Sequence, residues 1–144
     1  MGKAYVIVSG KGGVGKTTST INLGISVSEL GKEVIIVDTN LTTPNIGLHL
    51  GSPIVPITIN HVINNKAKVE EAIYEHDSGA KIMPASLSIG ELKSINHEKL
   101  PEIVKKLKKI GDIIFLDSSA GLGEEAKSAI RSADEVIIIT NPEI

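Results

Sequence analysis

With 144 residues, 41% of them hydrophobic, the chain is long enough for one domain around a single core and short for two. The absence of cysteine excludes disulfides, thiolate zinc sites and cysteine-ligated iron–sulfur clusters within it. A formal net charge of −2 provides none of the basic excess that neutralises nucleic-acid phosphates, so no direct nucleic-acid partner is expected.

In chain order, the first apolar run is 5–8, and Gly10 and Lys11 interrupt it too early for a signal peptide. Gly2 does not make a myristoylation signal, because position 6 is Val6 rather than Ser or Thr. Residues 15–30 are read as a helix between a glycine loop and the Gly31 stop, although Ile21, Leu23, Ile25 and Val27 alternate as a strand would. The runs 34–37, 113–116 and 136–139 are continuous and rich in β-branched residues, as strands covered on both faces are. A weaker run, 80–83, is stopped by Pro84. Residues 40–66, with Pro44, Pro53 and Pro56, are irregular and read as a mobile loop over the top of a sheet. Helices are expected at 69–74, at 100–110 from the spacing of Leu100, Ile103, Val104, Leu107 and Ile110, and at 124–133. Strands alternating with helices predict a three-layer α/β fold with a mainly parallel sheet flanked by helices, as one domain over 1–144. No stretch approaches a membrane span, and a soluble cytoplasmic domain is expected.

Polar residues follow each run: Ser9-Gly10, Asp38-Thr39-Asn40, Asp117-Ser118-Ser119 and Thr140-Asn141. In a parallel sheet these ends share one edge, where ligands bind. On that edge, Gly10-Lys11-Gly12-Gly13-Val14-Gly15-Lys16-Thr17 completes the phosphate-loop pattern G-x-x-x-x-G-K-[ST]. Its glycines let backbone N–H groups close round a phosphate chain, Lys16 offsets phosphate charge, and the Thr17 hydroxyl suits Mg²⁺. Thr18 offers one more donor. Asp117 closes its run as a second metal anchor, and Asp38 stands beside the same metal and the terminal phosphate. The bland alternatives are a chance glycine turn and acids capping loops. His49, His61, His76 and His97 lack metal-ligand spacing and read as surface or loop residues. Lys105, Lys106, Lys108 and Lys109 read as a solvated helix face.

The stretch Lys11-Gly12-Gly13-Val14-Gly15-Lys16-Thr17-Thr18 resembles the deviant Walker A motif of the MinD/ParA family of P-loop ATPases. Residues 34–40 are similar to its switch I, Asn45-Ile46-Gly47-Leu48 to the segment after that switch, and 115–121 to its Walker B and switch II. The ending Thr140-Asn141-Pro142-Glu143 resembles the MinD branch in particular. The resemblance implies the P-loop NTPase fold and ATP with Mg²⁺. It also implies hydrolysis, and a homodimer formed on ATP binding in which Lys11 crosses to the partner's nucleotide. It places Asn141 near the base. Cell-division positioning is the implied role, with a regulatory protein partner, and DNA or plasmid partitioning is the role of ParA relatives. Two departures stand out. Asn40 replaces the second acid of the family's Asp-x-Asp, which orients the attacking water, and Ser119 replaces a proline. Asn40 opens a second reading, an ATP-binding switch with little hydrolysis, because an amide is a far weaker base. A third reading, an ATP-dependent ligase of the same superfamily, is disfavoured by the MinD-like ending. The resemblance also implies an N-terminal fragment, with membrane attachment at the cell's inner face through a C-terminal helix beyond residue 144.

Overall fold

Successive side chains of a strand point to opposite faces, so a continuous apolar run needs cover on both sides. The computed structural model, which describes residues 1–51, 54–91 and 95–142, provides it for the central strands. Pro53 and Glu143 lie outside the described residues. The strands are β1 (Lys3–Val8), β2 (Val34–Asp38), β3 (Tyr74–Glu75), β4 (Lys81–Met83), β5 (Ile113–Asp117) and β6 (Glu135–Ile138). They form one sheet in the order β3-β4-β2-β5-β1-β6, parallel except for the β3–β4 pair. The helices are α1 (Lys16–Glu29), α2 (Ile46–His49), α3 (Ile59–Ile63), α4 (Leu100–Leu107) and α5 (Glu124–Ser132).

Ile35, Val37, Ile114 and Leu116 face one core layer, against Ile59 and Ile63 of α3, Leu100, Ile103, Val104 and Leu107 of α4, and Ala129 of α5. Val34, Ile36 and Phe115 face the other, against Ile21 of α1 and Ile46 of α2. The expected three layers are formed, each fully buried Ile or Leu contributing about 1.5–3 kcal/mol. α1 is a helix, as its flanks predict, and the strand-like alternation within it has a plain cause. The buried stripe of α1 is Lys16, Thr17, Thr20, Ile21 and Gly24, mostly polar or small, so hydrophobicity does not trace it. Gly24 is what brings helix and sheet so close: a Cβ there would stand 2.4 Å from Ile36 Cδ1.

Three expectations are corrected. Residues 69–74 are not an α-helix; Val69–Ala72 form a single 3₁₀ turn, and Tyr74–Glu75 leave it as the antiparallel edge strand. The Tyr74 hydroxyl donates to the Ile57 carbonyl and accepts the Ile57 N–H, fixing that strand against the segment before α3. Residues 40–66 are not a bare loop either. They carry α2 and α3, and Leu41, Ile46, Ile59 and Ile63 are buried. Finally, the run 136–139 is a strand, Glu135–Ile138, but not one covered on both faces: it is an edge strand on which Val136 and Ile138 are 47% and 69% exposed. No helix among the described residues is long and apolar enough to cross a membrane.

Candidate phosphate-binding site

The turn between β1 and α1 has Gly13 at φ 74° and Gly15 at φ 92°, left-handed conformations that a side chain disfavours. These two residues turn the chain so that α1 begins at Lys16 with its N-terminus facing the loop. The Ser9 hydroxyl donates to the Lys11 carbonyl at 2.9 Å, fastening the loop's entry. The side chains of Lys16 and Thr17 are buried beneath it. A cavity of about 650 Å³ opens here, between Gly12–Thr18 on one side and Asn40, Thr42, Thr43 and Asn45 on the other.

Register brings the two acids together. Ile7 pairs with Asp117 and Asp117 with Asp38, so both carboxyls project from adjacent strand ends on the α1 face. Asp117 Oδ2 accepts the Thr17 hydroxyl at 2.7 Å, Oδ1 accepts Thr20 at 3.4 Å, and Lys16 Nζ stands 3.6 Å from Oδ1. Burial pushes the Asp117 carboxyl above its ordinary pKa, and Lys16, Thr17 and Thr20 pull the other way. Asp38 is fully buried. Burial first, and the Asp117 charge second, push its pKa up to about 7. Its carboxylate accepts the backbone N–H groups of Asn40, Asn45 and Ile46 at 3.1, 2.9 and 3.1 Å, which hold it down only in part. Asp38 therefore ties the segment after β2 back onto the strand end.

The Thr17 hydroxyl and the Asp117 carboxylate, 2.7 Å apart beside the Lys16 ammonium, are hard oxygen donors of the kind that Mg²⁺ takes together with phosphate oxygens. Gly10, Gly12 and Val14 lie along the same turn, Lys11 is exposed on it, and Thr18 stands in the first turn of α1. Asn40 is buried, its carboxamide oxygen accepting the Thr43 hydroxyl at 2.9 Å. Asn141 is exposed beyond β6 and does not line the cavity. Thr20, Thr42, Thr43, Asn45 and His49 are the contributors that sequence reasoning missed. Thr20 sits four residues after Lys16, on the same helix face, a spacing that was readable. His49 lines the cavity rim rather than a metal site, and no cluster of metal-ligating side chains occurs among the described residues. A second cavity of about 600 Å³, beside α4, is lined by lysines and glutamates without a convergent set of ligand groups.

A family profile described as AAA domain matches residues 2–144. The septum site-determining protein MinD of Thermotoga maritima is 35% identical over 147 residues, covering 100% of this chain and 54% of that protein. This chain belongs to the MinD/ParA family of P-loop ATPases. An uncharacterized ATP-binding protein of Methanocaldococcus jannaschii is 39% identical, over 100% of this chain and 54% of its own. The solved MinD of Pyrococcus horikoshii, complexed with Mg-ADP, superposes with a TM-score of 0.94 at 42% identity. That match covers 99% of this chain and 59% of the other, and the six-stranded sheet is the P-loop NTPase fold of this family. The chain spans about half the length of the curated relatives it matches.

Proposed function

We propose that the chain is the nucleotide-binding part of a MinD/ParA-type switch that binds Mg-ATP, dimerises with it and hydrolyses it. In this reading it serves the spatial organisation of cell division, in the cytoplasm and with a regulatory protein partner. One observation carries the reading: Lys16, Thr17 and Asp117 converge within 3.6 Å at the mouth of a glycine turn. That set suits a phosphate chain together with its cation. The Mg-ADP complex of the Pyrococcus horikoshii MinD supports the same ligand class.

The backbone N–H groups of Gly12–Gly15 and the start of α1 bind the phosphates, and Lys16 leaves Asp117 for the phosphate oxygens. Thr17, Asp117 and Asp38 form the metal side of the site. Mg²⁺, when bound, offsets charge on the transferring phosphoryl group. Lys11 reaches the neighbour's nucleotide in the dimer, and Asn40 orients the attacking water. Asn141 borders the base. The state of Asn40 favours a second reading of the same site, a switch with slow intrinsic hydrolysis. Its oxygen accepts the Thr43 hydroxyl, and an amide cannot accept the water's proton as a carboxylate can.

The test is ATP binding and turnover by the full chain beside its Lys16→Ala and Asn40→Asp variants. Turnover in the parent that disappears in Lys16→Ala supports the hydrolysing switch. Binding without turnover in the parent, with activity in Asn40→Asp, supports the slow one. A parent that binds no Mg-ATP overturns both.

A further inference from the structure

The segment that carries Asn40 is held from two sides, and only one of them belongs to the phosphate site. On the strand side the Asp38 carboxylate accepts Asn40, Asn45 and Ile46. On the other side is Glu125, in the first turn of α5 and 84 residues away from its first partner. One carboxylate oxygen accepts the N–H groups of Leu41 and Thr42 at 2.5 and 3.0 Å, and the other accepts the Thr42 hydroxyl at 3.1 Å. Three bonds from one carboxylate to two consecutive residues clamp the backbone, and charge-assisted bonds are the strong ones. Glu125 does not line the phosphate cavity, whereas Asn40, Thr42 and Thr43 do. It therefore acts through the loop and not on a ligand.

The other end of this connection also reaches the phosphate loop. The loop before α5 contains Gly121, whose N–H donates to the Ser9 carbonyl at 3.0 Å, immediately ahead of the glycine turn. Ser118 is tied to the Ile7 carbonyl by its hydroxyl at 2.7 Å. A continuous bonded path thus runs from the end of β1 through Gly121 and α5 to Glu125, and from there to Leu41, Thr42 and Asn40.

We propose that Glu125 is a positioning residue: it couples α5 to the loop after β2 and sets Asn40 and Thr42 against the phosphate cavity. The placement of the loop stands on the bonds themselves, and its consequence for turnover rests on the proposed ATPase reading. A helix-dipole role alone would be shared by Glu124, which is exposed and pairs with Lys127 at 3.2 Å.

The experiment compares the full chain with its Glu125→Ala, Glu125→Gln and Glu124→Gln variants. Amide hydrogen exchange is followed residue by residue by NMR, and kcat and KM for Mg-ATP are measured alongside. Exchange at Leu41 and Thr42 is expected to speed up roughly tenfold or more in Glu125→Ala, with little change in the strands, and Glu124→Gln is expected to match the parent. Glu125→Gln keeps one acceptor oxygen for the two N–H groups and recovers most of the protection. In turnover, Glu125→Ala lowers kcat with KM little changed, the mark of a misplaced water-orienting group. Unchanged exchange at Leu41 and Thr42, or acceleration spread evenly over the sheet, overturns the proposal. Because exchange needs no hydrolysis, a parent without turnover removes the ATPase reading and leaves the clamp to be decided by exchange alone.

Discussion

Asp38 is a fully buried carboxylic acid set beside a second acid. Its pKa near 7 against about 3.9 in an unfolded chain means that the folded state binds the extra proton between those values. Stability therefore falls as pH rises through that window and levels off above it. Acidifying from pH 7.5 to 5.5 is expected to stabilise the parent by about 1–2 kcal/mol through this group. Urea unfolding in Mg²⁺-free, nucleotide-free buffer checks the sign, and an Asp38→Asn variant should lose that part of the slope. Asp117 is raised for the same first cause, but Lys16, Thr17 and Thr20 compensate it. Removing the Thr17 hydroxyl in Thr17→Ala leaves a buried carboxylate oxygen short of a donor and is expected to cost about 1–3 kcal/mol. The same variant should lose much of the gain in ATP affinity that Mg²⁺ gives the parent, which calorimetry with and without Mg²⁺ would detect.

At the scale of elements, α1 and β2 are set by a missing side chain. A Cβ on Gly24 would meet Ile36 Cδ1 at 2.4 Å and Cγ1 at 2.6 Å, so Gly24→Ala must push the helix or the isoleucine aside. Alanine's better helix propensity offsets part of this, and a net loss of about 1–2 kcal/mol is expected. Ile36→Val removes the nearest atom. The penalty of Gly24→Ala should therefore shrink in that background, a coupling that a double-mutant cycle in denaturant measures. Much at this scale was legible in the sequence. The apolar runs of β1, β2, β5 and β6 place those strands within a residue or two; two-sided burial explains the runs of β2 and β5, whereas β6 is an edge strand with Val136 and Ile138 exposed. β3 was hidden because two residues carry no period and their helix-favouring neighbours Glu70 and Glu71 read the other way. α3 was hidden among prolines and asparagines, its buried Ile59 and Ile63 being too few to show a face.

For the whole molecule, a ligand that binds only the folded state must stabilise it. At a hundred times its dissociation constant, Mg-ATP should add about 2.7 kcal/mol, visible as a rise in Tm of several degrees. Chelation of Mg²⁺ should remove much of that rise, and Lys16→Ala nearly all of it. The surface lysines should matter little by comparison. Lys106 pairs with Glu102 at 2.9 Å on the solvated side of α4, and Lys108, just past its end and half-buried, pairs with Asp134 at 2.8 Å. Lys105 and Lys106 form the solvated helix face expected from sequence, where an exposed pair contributes about 0–1 kcal/mol, whereas Lys108 and Lys109 follow the helix and Lys108 is half-buried.

The sequence by itself determined the phosphate loop, the strands that end in Asp38 and Asp117, and the family. Those signals are local: a glycine pattern needs particular φ values, and a strand buried on both faces needs an unbroken apolar run. Tertiary structure alone decided how the acids are used. Only the register of β2 against β5 sets Asp38 beside Asp117, where burial turns one of them into a neutral-range acid. Only packing brings Glu125 to the backbone of Leu41 and Thr42. An acid in the first turn of a helix looks the same in sequence whether it faces water or a loop 84 residues away, because its partner there is backbone, which has no letter to read.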